Sequence, residues 1–242
     1  MRFSTELVEG RLLRRYQRFF ADVELDDGTV VVAHCPNTGS MKTCLEPGTR
    51  AWLTRARPGR KLAYTWEVAE CGDARIYVHP AGANGLVAEA IDGGVIRELT
   101  GYETLRREVR YGTGSRIDLL LGRGEELCYV EVKNATLRIA PGRAAFPDAV
   151  TARGKKHLEE LTEVVRSGHR GVVFFAVSRT DCTTFEPADD IDPAYGVALR
   201  AALAAGVEAL AYGVSIDREE VRLTRRIPIV LEDEGGASKV GT

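Results

Sequence analysis

The sequence predicts a mixed α+β protein, with an N-terminal OB-like β-barrel followed by an α/β domain. Three observations carry this expectation. Residues 1–82 break into short apolar runs separated by Asp-Gly and Pro-Gly turns. After Pro80-Ala81-Gly82 the hydrophobic period lengthens from that of a strand to that of a helix. Further on, Glu131-Val132-Lys133 places two charges on an otherwise apolar strand, with Asp118 a short way upstream.

The barrel is read from its turns. Arg15–Leu25 alternates and ends at Asp26-Asp27-Gly28, and Thr29–Ala33 is a compact apolar strand. The loop from His34 to Met41 follows. Thr49–Thr54, Leu62–Ala69 and Asp73–Val78 then form strands separated by Glu46-Pro47-Gly48 and Arg57-Pro58-Gly59. A five-stranded OB-like barrel fits this length. The second domain, residues 83–230, opens with a helix over Asn84–Ile91, for which Asn84 is a suitable N-cap. Strands follow at Leu105–Tyr111, Ser115–Leu121 and Cys128–Leu137. A helix from Pro147 or Asp148 to Arg166 comes next, then a buried strand over Gly171–Ser178. A helix from Asp192-Pro193 to about Ala205 and strands at Val207–Ile216 and Glu220–Arg225 complete the layer. Residues 231–242 read as a flexible polar tail.

Composition narrows the class. With 242 residues, 44% hydrophobic and 28% charged, the chain has the make-up of an ordinary globular protein. No apolar run is long enough to span a bilayer, and Met1–Arg18 lacks the core of a secretory signal. A cytoplasmic protein with no membrane partner is expected. The five cysteines include no CxxC pair, which argues against a zinc site or disulfide framework. Net charge is −2 overall, divided as +2 over residues 1–85 and −4 over the remainder. Local basic clusters, among them Arg55/Arg57/Arg60/Lys61, suit phosphate tracking, with a solvated surface as the competing expectation.

Alternation along Cys128–Lys133 sends Cys128, Val130 and Val132 to one face and Tyr129, Glu131 and Lys133 to the other. Burying such charges is costly unless they are paired or bind a metal. Asp118 on one strand and Glu131 on the next can share a Mg²⁺ or Mn²⁺ ion, with the Val132 carbonyl as a neutral ligand and Glu89 as a third carboxylate. Lys133 shares the Glu131 face and can hold a water or offset transition-state charge. This is the set that metal-dependent phosphodiester hydrolysis needs. The competing expectation is a surface Glu-Lys strand pair.

Several stretches resemble the sugar fermentation stimulation protein A (SfsA) family. They are His34-Cys35-Pro36-Asn37-Thr38-Gly39-Ser40-Met41, Tyr111-Gly112 with Ser115-Arg116-Ile117-Asp118, Tyr129 to Asn134, Phe146 to Gly154 with Lys156-His157-Leu158, and Phe185 with Pro187-Ala188-Asp189 and Asp192-Pro193. The resemblance implies an OB-like domain followed by a PD-(D/E)xK nuclease-like domain, DNA binding, and a link to sugar metabolism. It places Asp118, Glu131 and Lys133 on the metal and catalytic positions, and Glu89 near the helix carboxylate that some members use.

Further candidates surround this set. Asn37, Thr38 and Ser40 lie in a loop whose Gly39 can expose N–H groups to a phosphate. Arg153 and His157 share a helix face, and Arg116 shares the face of Asp118. These six are the expected nucleic-acid contacts. His34 and His79 read as structural. Phe19, Trp52, Tyr64 and Trp66 offer stacking surfaces, with core packing the expected job for most of them. The leading expectation is a DNA nuclease, with RNA as the alternative target. A non-catalytic DNA-binding regulator that keeps the nuclease fold is the second reading, and a module without nucleic-acid function the third. The oligomeric state stays open, a homodimer included.

Overall fold

The computed structural model describes residues 1–46, 48–112, 114–232 and 238–240. In the first domain β1 (Val8–Tyr16), β2 (Phe20–Leu25), β3 (Val30–His34), β4 (Arg50–Arg55) and β5 (Tyr64–Cys71) adjoin in the order β3-β2-β1-β4-β5. Parallel pairing of β3 with β5, Ala33 opposite Tyr64 and His34 opposite Thr65, closes the five-stranded barrel. One strand had been expected over Arg15–Leu25. Instead the chain reverses at Gln17-Arg18, both at positive φ (47° and 63°). No glycine marks this turn, so the alternation reads straight through it. Inward positions Ala21, Val23, Ala33, Leu53 and Trp66 fill the barrel. Trp52 and Trp66 are core residues, 1% and 0% exposed, whereas Phe19 stays 49% exposed.

β6 (Ala74–Tyr77) extends the barrel sheet beyond β5 and leads into α1 (Pro80–Asp92). The helix starts at Pro80, four residues before the expected N-cap, because proline at the first helical position is favoured. His79 takes the cap position, and Asn84 lies within the helix.

The second domain continues with β7 (Thr104–Tyr111), β8 (Ser115–Arg123), β9 (Glu126–Ala135), β10 (Leu137–Ala140), β11 (Gly142–Phe146), α2 (Ala152–Arg166), β12 (Arg170–Val177), β13 (Cys182–Pro187), α3 (Pro193–Ala204), β14 (Glu208–Ile216) and β15 (Val221–Arg226). Its main sheet runs β15-β14-β12-β9-β8-β7, with β9, β12 and β14 parallel. The crossovers through α2 and α3 advance the same way across the sheet, so a uniform hand puts both helices on one face. β12 shows the two faces. Val172 and Phe174 join α1 in one core, while Val173 and Phe175 join α2 and α3 in the other.

A second sheet, β10-β11-β13, was not expected from the sequence. Helix α2 begins at Ala152 and not at Pro147 or Asp148. Thr151 caps it, accepting from the Gly154 amide at 3.0 Å, and Val150, counted as apolar helix face, is 77% exposed. In the tail, β16 (Val230–Glu232) pairs with β17 (Ser238–Val240), and the other tail residues beyond 232 lie outside the described residues. No helix among the described residues is long and apolar enough to cross a membrane.

The barrel is seated on the second domain. Trp52, Val68 and Tyr77 share one apolar cluster with Leu86, Leu119, Val130 and Phe174. The Tyr77 amide donates to the Ser178 carbonyl at 2.8 Å, and the Thr180 amide donates to Arg75 at 3.0 Å. Arg179, 1% exposed, clamps this joint. Its guanidinium donates to Asp181 at 2.7 and 2.9 Å, to the Thr136 carbonyl at 2.7 Å and to Thr43 Oγ1 of the barrel at 3.1 Å. Without Arg179 the Thr136 carbonyl loses its charged donor, while Asp181 keeps Arg138 at 2.6 Å. Arg179→Ala is therefore expected to destabilise the protein by about 1–3 kcal/mol in denaturant titration.

Candidate functional site

β8 and β9 pair from Arg123–Glu126 up to Leu119–Val130, and there the ladder ends. Beyond that point the Asp118 carboxylate fills the opening. Its Oδ2 accepts from the Val132 amide at 2.8 Å, and its Oδ1 accepts from Asn84 Nδ2 on α1 at 2.7 Å. A strand residue turns its N–H and C=O to the same edge, so the Val132 carbonyl faces this cleft too.

The expected alternation along β9 holds. Cys128, Val130 and Val132 enter the α1-side core. Glu131 faces α2 and is only 3% exposed. Its Oε1 accepts from Lys133 Nζ at 2.7 Å and from His157 Nδ1 of α2. Arg153 Nε donates to His157 Nε2 at 3.3 Å, so Nε2 accepts and the proton is assigned to Nδ1. With Nδ1 donating to Glu131, the 3.3 Å approach of Lys133 Nζ to it is a packing contact.

Environment separates the two carboxyls. Burial pushes Glu131 up, but the His157 hydrogen bond and the Lys133 charge together outweigh it and hold the group below the usual carboxylate range. Burial and then the Glu131 charge push Asp118 up to about 6, against the opposing pull of Val132, Lys133 and Asn84. Glu131 Oε2 is buried with no hydrogen-bond partner among the described residues.

The barrel supplies the other wall. A cavity of about 210 Å³ is lined by Asn37, Thr38 and Gly39 together with Val132, Lys133 and Asn134. Asp148 fixes the barrel loop, its Oδ2 accepting from Ser40 Oγ at 3.1 Å and the Met41 amide at 3.2 Å. Gly39 is required here, since a Cβ would stand 2.6 Å from Asp148 Oδ2. The expected nest of free N–H groups is partly closed. The Gly39 amide donates to Asn37 Oδ1 at 2.8 Å, and that of Met41 is held by Asp148.

The structure thus gathers Asp118, Glu131, Val132, Lys133 and His157, with Arg153 attached through His157. Asn37 and Thr38 reach the cavity beside Lys133, whereas Ser40 bonds Asp148. Arg116 is exposed on β8, with no hydrogen-bond or ionic partner among the described residues. Glu89 corrects the expectation of a third carboxylate. It is 57% exposed and pairs with the Met1 amino group at 2.9 Å. Asn84, which reaches the site, lies five residues away, about 140° round the helix. Among the described residues no three His, Cys, Asp or Glu side chains gather as a ready cation cluster. Asn84 and Asp148 were missed as site residues. Asn84 had read as a cap. Asp148 carries no local signal, because its partners lie more than a hundred residues away.

Fold and site define a class, an OB domain joined to a nuclease-like α/β domain. The chain belongs to the sugar fermentation stimulation protein (SfsA) family. Residues 13–78 match the family model of the SfsA N-terminal OB domain, and residues 81–220 that of the sugar fermentation stimulation protein RE domain. Sugar fermentation stimulation protein homologs from Geotalea daltonii and Geobacter sulfurreducens are each 56% identical to it. The alignments cover 93% of this chain and 97% and 96% of those proteins. The homolog from Maricaulis maris is 53% identical, over 96% of this chain and 99% of its own length. The solved structure of Pyrococcus furiosus SfsA in complex with Ca²⁺ superposes with a TM-score of 0.84 at 28% identity, covering 95% of this chain and 97% of that one.

The raised Asp118 pKa has a stability consequence. The folded state holds this proton more tightly than the unfolded chain, so stability is lost as pH rises from about 4 to about 6. Asp118→Asn removes that loss. Chelator-treated Asp118→Asn protein is expected to gain on the wild type across this window, reaching about 1–3 kcal/mol at neutral pH in urea titrations.

Proposed function

We propose that this chain is a metal-dependent phosphodiesterase acting on DNA, with Asp118, Glu131 and Lys133 as its catalytic residues. The observation that carries the reading is the Glu131–Lys133–His157 cluster, formed where α2 packs on the splayed β8–β9 hairpin that also holds Asp118.

The residues fit a divalent cation. A buried carboxylate oxygen on Glu131 has no partner among the described residues, and Asp118 is raised by burial and then by its carboxylate neighbour, a repulsion that a cation relieves. Asp118, Glu131 and the Val132 carbonyl would hold a Mg²⁺ or Mn²⁺ ion, with water completing its shell. Such an ion supplies positive charge for the phosphate and acidifies water. The Ca²⁺ of the Pyrococcus relative supports a divalent-cation reading.

The chain's own groups do the positioning. His157 donates to Glu131 and sets the plane of its carboxylate. Asn84 and the Val132 amide anchor Asp118 through both its oxygens. The Lys133 ammonium, at the cavity wall, meets a phosphoryl oxygen and offsets the charge that builds there. Arg153, exposed beyond His157, and the unpartnered Arg116 contact flanking phosphates.

A DNA-binding regulator that keeps this fold is the second reading, linked to the control of sugar metabolism that the relatives' name records. It is favoured by the occupied Glu131 Oε1, which Lys133 and His157 already fill. DNA incubated with the protein and Mg²⁺ or Mn²⁺ separates the two. Cleavage that falls about a hundredfold or more in Lys133→Ala supports the enzyme. DNA retained on a gel without product, in both proteins, rules the enzyme out and leaves the regulator.

A further inference from the structure

The barrel carries a second concavity, away from the carboxylates, of about 560 Å³. Its walls combine two kinds of side chain. Phe19 and Phe20 come from the β1–β2 hairpin, where Phe20 stacks on Tyr16 at 5.4 Å and Phe19 projects half-exposed at the tip. Opposite them stands the segment after β4. The turn Arg57-Pro58-Gly59-Arg60, with Gly59 at φ 88°, presents Arg57 and Arg60 at its two ends, and Lys61 follows. All three basic side chains are exposed and have no hydrogen-bond or ionic partner among the described residues.

The groove's field is positive, although the chain as a whole carries −2. Glu67 is its one acidic lining residue, and it is buried, accepting from Thr54 Oγ1 at 2.8 Å and facing His79 Nδ1 at 3.1 Å. Burial, then the charges of His79 and Arg60, hold His34 below the usual imidazole range. Unpaired cations facing an exposed aromatic ring are the two parts of a single-strand site, one for phosphates and one for a base.

The groove and the cavity at Lys133 take residues from neighbouring positions in the chain. His34 lines the groove, and Asn37, three residues on, lines the cavity beside Lys133. His79 lines it, and the next residue, Pro80, lines that same cavity. The two concavities thus draw lining residues from the same two segments, the loop after β3 and the entry to α1.

We infer that this groove binds single-stranded nucleic acid, with a base stacked on Phe19 and the backbone on Arg57, Arg60 and Lys61, and feeds the strand past His34 and His79 towards Lys133. The inference deepens the DNA reading above and rests on it, by naming unpaired strands as the substrate class. A duplex cannot offer a base to Phe19 without opening.

The test is binding by the full chain, in chelator so that no cleavage intervenes. The probes are a fluorescent oligothymidylate of about 20 nucleotides and a duplex of similar length. Wild type is expected to prefer the single strand. Phe19→Ala should weaken that binding about tenfold and leave duplex binding unchanged. The combined variant Arg57→Ala/Arg60→Ala/Lys61→Ala should lower the slope of log affinity against log salt by about 2, as three lost phosphate contacts on a single strand require. All four positions are exposed, and melting curves matching the wild type confirm the fold. Duplex preference, or unchanged single-strand binding in both variants, overturns the groove and leaves the nuclease reading standing. Binding of neither probe at low salt overturns both.

Discussion

One buried carboxylate governs the second domain. Glu131 sits on a strand flanked on both sides, its side chain almost fully withdrawn from solvent. An ionised carboxylate in that position costs several kcal/mol unless cations and donors reach it. Lys133 comes from the same strand face two residues on, and His157 from the first turns of α2. This need couples the placement of α2 to the register of β9. The helix must bring an imidazole to one defined atom, and Thr151 and Asp192 secure its N-terminus, Asp192 accepting from the Thr151 amide at 2.8 Å.

The same constraint explains why Asp118 behaves differently. It fills the gap where β8 leaves β9, anchored by neutral donors and close to a neighbour that is already ionised. Two carboxyls a strand apart are thus held in different protonation ranges by their surroundings, a pattern typical of functional sites.

The barrel is part of this arrangement and not an appendage. Shared apolar packing, the Arg179 clamp and the Asp148 grip on the 37–41 loop bring the barrel wall up to Lys133. Asn37 and Thr38 of the barrel consequently line the cavity beside Lys133. Local field matters more here than total charge, since a cleft with unpaired cations attracts phosphate even on a slightly acidic protein.

The sequence alone showed what local rules govern. Alternation placed Glu131 and Lys133 on one face of a buried strand, helical spacing put Arg153 over His157, and turn residues outlined most of the barrel. It read past the Gln17-Arg18 reversal, because neither residue is a usual turn former, and it missed the short β10–β11 hairpin and β13, whose pairing with β11 is non-local. Glu89 had the right chemistry on the wrong side of its helix, while Asn84, on the right side, looked like a cap. Asp148 and Arg179 find their barrel partners across more than a hundred residues. Those contacts exist only once two domains have packed, because side-chain type and spacing describe one element at a time, and a site assembled from several elements is decided by how they pack together.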